Sequence, residues 1–400
     1  MISSFRLGLG VIAGILALSV IFLVQYLGFG QRILPGETVV VSPSNSTKQE
    51  LLLVSSQESV QLEEVARGLD TPWSIVFTAP ERMLVTERPG RIRVIEQGVL
   101  RPEPLHVFPE ISEKGEEGLL SMTLDPFYPE NRFVYVVIAY PRGNDIIDKV
   151  VRLRDEGSSL VDATVPLDGI PAARFHAGSR IAFGPDGKMY VTTGDATDKN
   201  LAQDMQSLAG KVLRMNRDGS VPEDNPFPGS LIWSLGHRNP QGLAWHPDTG
   251  ELYETEHGPS GFDGAGGGDE VNRIEKGKNY GWPLVSHEKR REGTIAPILL
   301  FTPAEAPASL LIYSGRAFPE WRGNLFFGAL KGEGLMRIVL DGQDPSKVES
   351  YEKMAEVNFG RIREVMEGPD GFIYFTTSNR DGRGDPAAAD DRVFRIHPGK

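Results

Sequence analysis

The sequence predicts an all-β fold, a six-bladed β-propeller of four-stranded antiparallel blades, and three observations carry that expectation. The stretch His176 to Asp195, HAGSRIAFGPDGKMYVTTGD, reads strand, turn, strand: an apolar alternation (Ile181, Phe183), a tight turn at Pro185-Asp186-Gly187, and a second alternation over Met189, Tyr190 and Val191 that ends on Gly194-Asp195. The same template recurs six times, at a spacing of roughly 50 to 70 residues, which is the mark of blades that cover one another. Composition agrees, since 45 glycines and 29 prolines in 400 residues suit a chain of many turns, and 40% apolar content supplies one large core.

The elements follow in chain order. Leu7 to Val24 carries no charge, continues apolar through Tyr26, Leu27 and Phe29, and is preceded by Arg6, so it is long enough to cross a bilayer with its positive end inside. Residues 1–30 are therefore expected to be a transmembrane anchor, with a cleaved signal peptide ending near Gly28-Phe29-Gly30 as the alternative. Either way the chain from about residue 31 onward is exported. Residues 31–63, rich in Ser, Glu and Gln with Pro35 and Pro43, read as an extracytoplasmic linker with one candidate strand at Leu51 to Val54.

The propeller is expected over 64–400. Its copies begin at Thr71 (TPWSIVFTAPERMLVTERPGRIRVI), Gly118 (GLLSMTLDPFYPENRFVYVVIAY), His176, Gly242 (GLAWHPDTGELYETEHG), Leu311 and Ile362 (IREVMEGPDGFIYFTTSN). Several close on a V-x-R-I-like strand: Val150 to Leu153, Val212 to Met215, Val271 to Ile274 and Val393 to Ile396. A pair of β-sandwiches, the alternative architecture, would not repeat that strand so regularly.

Charge and cysteine content narrow the function. A net charge of −12 with no basic stripe argues against a nucleic-acid surface. The absence of cysteine removes disulfides, thiolate zinc sites and thiol catalysis. Sugars, other small molecules and protein partners remain.

Propeller chemistry collects where loops from successive blades converge on the central channel. His176 precedes an inner strand and Asp195 ends the strand beside it; a carboxylate that fixes an imidazole's tautomer makes a general base, whereas a lone histidine there is structural. Arg238, in GHRNPQG, is a delocalised cation suited to a carboxylate or a quinone oxygen. Gly258 and Pro259, in EHGP, either offer bare carbonyl oxygens to a hard cation such as calcium or simply form a turn. Lys331 follows a strand in ALKGEG, and Arg361 and Arg363 in GRIREV share one strand face; the three would hold a polyanion, or else lie solvated on an outer strand.

These motifs, with AQDMQSLAGKVLRMNRDGSVPEDNPF (Ala202 to Phe227) and NYGWP (Asn279 to Pro283), stand in family order. The chain from about Glu64 to His397 resembles the soluble pyrroloquinoline quinone (PQQ)-dependent aldose sugar dehydrogenases, the glucose/sorbosone dehydrogenase family. The resemblance implies an aldose substrate, PQQ and Ca2+ as cofactors, and an external electron acceptor. By it, His176 looks like the base, Asp195 its orienting partner and Arg238 the residue over the quinone. Asn239, Lys331, Arg361 and Arg363 look like PQQ contacts, and Gly258 and Pro259 like calcium ligands. One position departs: where relatives carry glutamine in a GQGGLL-like loop beside the cofactor, this chain has Glu116 in GEEGLL, followed by Glu117. The short connection from Ser286 to Ser309 further implies a broad sugar specificity. A calcium-dependent lactonase and a non-catalytic binding propeller are the competing readings.

Overall fold

The computed structural model describes residues 35–36, 38–40, 60–111, 113 and 115–399. The segment read as an anchor and the candidate strand Leu51 to Val54 lie outside them. Among the described residues no helix is long and apolar enough to cross a membrane.

Six antiparallel sheets are present, with innermost strands Pro72–Ala79, Leu119–Leu124, Gly178–Phe183, Pro240–Trp245, Pro307–Ile312 and Ile362–Glu367. We number the blades one to six in that order. Blade three shows the plan: Gly178–Phe183 pairs with Met189–Thr193, that with Lys211–Met215, and that with Ile232–Leu235. The six-bladed expectation holds. The V-x-R-I strands, however, are third from the axis rather than closing: a fourth strand lies outside each of them, such as Leu160–Ala172 in blade two and Leu299–Phe301 in blade four. In blade six the fourth strand is Val60–Arg67, paired with Arg392–Pro398. Its first residues fall within the stretch read as linker, and so does Thr38–Val40, which pairs with Val348–Lys353 at the edge of blade five. Residues from both ends of the propeller thus share one sheet and close the ring.

Each inner strand breaks register with its neighbour near its third residue, between Pro72 and Ser74, Leu119 and Met122, Gly178 and Ile181, Pro240 and Gly242, Pro307 and Leu310, and Ile362 and Val365. Such bulges add twist and turn side chains into the channel. Threonines of the second strands join the blades there. The hydroxyls of Thr86, Thr192 and Thr255 donate to the carbonyls of Leu120, Pro240 and Ala308 on the next blade, at 2.7, 2.8 and 2.9 Å. Six apolar clusters fill the six interfaces, as with Ile181, Val191 and Leu213 of blade three against Tyr135, Val137 and Val150 of blade two. Across the channel Arg180 meets Glu364 at 2.7 Å and lies 4.5 Å from the Trp73 ring.

Candidate active site

At one mouth of the channel the loops enclose a cavity of about 560 Å³. His176, Arg238, Asn239, Gly258, Pro259, Lys331, Arg361, Arg363 and Glu116 all line it. Asp195, the remaining residue singled out in the sequence, stands behind His176. Loops from all six blades contribute, so residues more than 200 positions apart meet.

His176 is 4% exposed, and its Nδ1 lies 2.7 Å from Asp195 Oδ1. Asp195 is fully engaged: Oδ1 also accepts the Thr197 N–H at 2.8 Å, and Oδ2 accepts Trp282 Nε1–H at 2.8 Å. Three donors around an acceptor-only carboxylate place the imidazole proton on Nδ1 and leave Nε2 as the free basic atom at the cavity. The backbone here is confined. A Cβ on Gly194 would stand 1.6 Å from the His176 carbonyl oxygen, so only glycine lets the two segments approach. On the open side Phe262 stacks on the imidazole, with centroids 5.7 Å apart.

Arg238 is 1% exposed, and each of its three side-chain nitrogens donates a hydrogen bond. Its Nε donates to Asp263 at 2.7 Å, its terminal nitrogens to the His257 carbonyl at 3.0 Å and the Ser260 hydroxyl at 3.2 Å, and its guanidinium stands over the Trp282 ring. Although burial works to raise it, the bonds from Arg238 and the Ser260 N–H hold the Asp263 carboxyl below its ordinary range. The glycine-rich loop after Pro259 therefore carries both the ring over His176 and the carboxylate on Arg238.

The other wall is cationic. Arg361 donates to Asp381 from Nε at 2.9 Å, and Arg363 donates to the Gln241 side-chain oxygen. Burial pushes the Arg363 pKa down to about 9, which still leaves it charged at neutral pH. Lys331 projects from the turn after Leu325–Ala329 and is exposed. Asn239 turns its amide inward, Oδ1 accepting the Gly178 N–H at 3.0 Å and Nδ2 lying 3.4 Å from His257. Burial, with Arg363 and Arg238 adding to it, keeps the His257 pKa well below its usual value, so that ring is neutral.

The carboxylate of Glu116, the departure noted in the sequence, has two partners. Its Oε1 lies 2.9 Å from Arg383 and its Oε2 accepts the His176 N–H at 3.0 Å. The cavity lining sets Arg88, Arg238, Lys331, Arg361, Arg363 and Arg383 against the carboxylates of Glu116, Asp269 and Asp381; with Asp263 on Arg238 and Glu113 on Arg88 just outside it, the cations still outnumber the carboxylates by one. Sequence reasoning missed Trp282, Asp263, Phe262, Gln241 and Arg383. NYGWP marks Trp282 as part of a motif, but nothing local ties it to a carboxylate 87 residues away.

Comparison with known proteins gives the family. The Glucose / Sorbosone dehydrogenase family model matches residues 69–384. The aldose sugar dehydrogenase YliI of Escherichia coli is 31% identical over 354 residues, covering 82% of this chain and 93% of its own. Quinoprotein glucose dehydrogenase B of Acinetobacter calcoaceticus is 27% identical, covering 86% and 89%. Among solved structures, the PQQ-bound form of aldose sugar dehydrogenase from Streptomyces coelicolor superposes with a TM-score of 0.74 at 34% identity, over 85% of this chain and 98% of that one. The chain belongs to the glucose/sorbosone dehydrogenase family.

Proposed function

We propose that the protein is an exported PQQ-dependent aldose sugar dehydrogenase that oxidises aldoses at C1, with His176 as general base. The observation that carries this reading is a buried imidazole, its Nδ1 held by Asp195, set in the wall of a cationic cavity. The residues present fit the cofactors. The cationic excess matches a tricarboxylate, with Lys331, Arg361 and Arg363 as its holders. A Cβ on Gly258 would lie 2.4 Å from the carbonyl oxygens of Gly267 and Gly268, so the turn that presents the Gly258 and Pro259 carbonyls tolerates only glycine. Such hard neutral oxygens suit Ca2+. When bound, PQQ supplies the hydride acceptor and Ca2+ the Lewis acid that polarises it.

The chain's own residues do the rest. His176 Nε2 takes the proton of the C1 hydroxyl, and Asp195 stabilises the imidazolium that results. Trp282 and Thr197 keep Asp195 from turning away. Phe262 shields the open face of the imidazole from water. Residues 1–30 would anchor the propeller outside the cytoplasm, within reach of an external electron acceptor.

The test is dye reduction by a panel of aldoses with the purified full chain, with and without PQQ and Ca2+. Turnover that needs both cofactors and disappears in His176→Asn is expected. PQQ binding without turnover of any sugar would leave a binding propeller, and lactone hydrolysis without PQQ would make the protein a lactonase.

A further inference from the structure

Beside Arg238, outside the cavity lining, His237, Glu254 and Glu256 come together. His237 and Glu254 are fully buried and Glu256 is 4% exposed. His237 Nδ1 lies 3.0 Å from Glu256 Oε2 and 3.9 Å from Glu254 Oε2, and one ligand atom from each side chain falls within 4.8 Å of the others. Donors on a single ion at about 2.1 Å stand about 3.0 to 3.4 Å apart in octahedral or tetrahedral geometry, so small rotations would bring the three into one shell.

The charge of this cluster is unanswered. Among the described residues no cationic side chain bonds to either glutamate: the Arg238 guanidinium is turned to Asp263 and Ser260, and only its backbone N–H reaches Glu256, at 2.6 Å. Lys211 donates instead to the carbonyls of Leu201, Ala202 and Ala209.

A second observation points to a missing ligand. Glu254 Oε1 is buried without any hydrogen-bond partner. So is Asn272 Oδ1, although Asn272 Nδ2 donates to Glu254 Oε2 at 3.1 Å. Ionised, Glu254 leaves a buried charge uncompensated; protonated, its O–H finds an acceptor in Asn272 Oδ1 only if that amide turns and gives up its bond to Glu270 at 3.0 Å. Both states cost free energy. A divalent cation removes the charge and fills the vacant lone pair together.

We infer that His237, Glu254 and Glu256 bind a divalent cation of the zinc class, in a buried three-residue site separate from the Gly258 and Pro259 carbonyls. An imidazole nitrogen beside two carboxylates favours such a borderline ion over calcium. Without the ion His237 Nδ1–H donates to Glu256 Oε2 at 3.0 Å, so binding displaces that proton, and Ser234 Oγ, 2.8 Å from Nε2, accepts the proton of the Nε2–H tautomer that ligation requires. The ion pins the strand that carries Glu254 and Glu256 to the turn that presents Arg238.

The experiment uses the untagged full chain, stripped with chelator and reloaded with Zn2+ alone, without PQQ, so its outcome is independent of turnover. One equivalent of zinc retained after gel filtration is expected. Glu254→Gln is expected to weaken zinc binding at least tenfold and to abolish the zinc-dependent rise in melting temperature. Equal zinc content in the two proteins, or no zinc retained by folded wild type at saturating Zn2+, would overturn the inference. Should Glu254→Gln fail to fold, X-ray absorption of zinc-loaded wild type decides: an imidazole nitrogen in the first shell supports the site, and its absence refutes it.

Discussion

Replacing Asp195 by Asn tests the proposed base through its partner. Three donors converge on this carboxylate: His176 Nδ1–H at 2.7 Å and Thr197 N–H at 2.8 Å on Oδ1, and Trp282 Nε1–H at 2.8 Å on Oδ2. Asparagine has one acceptor and one donor in their place. With its oxygen toward His176, its NH2 faces the Trp282 N–H; with its oxygen toward Trp282, its NH2 faces Thr197 and forces the imidazole into the Nε2–H tautomer, which cannot take a proton. Either orientation sets donor against donor in a buried place, a cost of about 1–3 kcal/mol in stability. Both also remove the charge that stabilises the imidazolium. That charge-assisted bond alone is worth about 1.5–3 kcal/mol, or roughly 10- to 150-fold in rate, and the tautomer adds to it. The expected fall in kcat is about 10²-fold or more, measured by dye reduction at saturating sugar and Ca2+ with PQQ occupancy verified by absorbance. A kcat within threefold of wild type would refute the role given to the Asp195–His176 pair.

Other consequences are open to measurement. Lys331→Met removes an exposed cation from the cavity wall, so PQQ affinity by fluorescence titration is expected to fall about 10- to 150-fold with the melting temperature unchanged; equal affinity would place the cofactor elsewhere. Chelation is expected to abolish activity and Ca2+ to restore it, since the proposed ligands are hard carbonyl oxygens; full activity after verified metal removal would count against calcium. Burial, reinforced by Asp148, raises the Glu117 pKa well above the ordinary range, so the folded chain keeps a proton that the unfolded chain loses above about pH 4.5. Stability is then full at low pH and declines as pH rises, by up to about 1.4 kcal/mol per unit. Glu117→Gln is expected to flatten that decline in urea unfolding between pH 5 and 8, and equal slopes in both proteins would contradict it.

The inner three strands of each blade were legible because each alternates apolar and polar residues between strong turn signals. The fourth strands were not, and the reason is physical. Leu160–Ala172 is largely exposed along its middle, Val99–Leu100 is two residues long, and Val60–Arg67 carries Glu63, Glu64 and Arg67 on an outer edge. Edge strands need no continuous apolar face, so they leave no periodic trace. The site divides in the same way. His176, Arg238 and Lys331 sit in motifs that read locally, whereas Trp282 reaches Asp195, and Arg383 reaches Glu116, only because the ring sets distant blades side by side.

Glu116 shows what that division does to an argument from sequence. Beside an anionic cofactor, an unpaired carboxylate at around 4 Å would cost about 4 kcal/mol at an effective dielectric near 20. The structure supplies two partners of unequal weight. Arg383 is half exposed, and an ion pair of that kind is worth about 1 kcal/mol or less. The other partner matters more. His176 adopts a left-handed backbone, φ +64°, a conformation that costs a residue with a Cβ roughly 1–2 kcal/mol. Its N–H is held there by Glu116 Oε2, while the Glu116 N–H donates to the Arg174 carbonyl at 2.8 Å. The two chain segments are thus joined in both directions at the residue proposed as base. A glutamine at 116 would retain the acceptor for His176 and give up only the half-exposed pair, so the carboxylate's charge is secondary, and Glu116 acts chiefly by fixing where the imidazole stands.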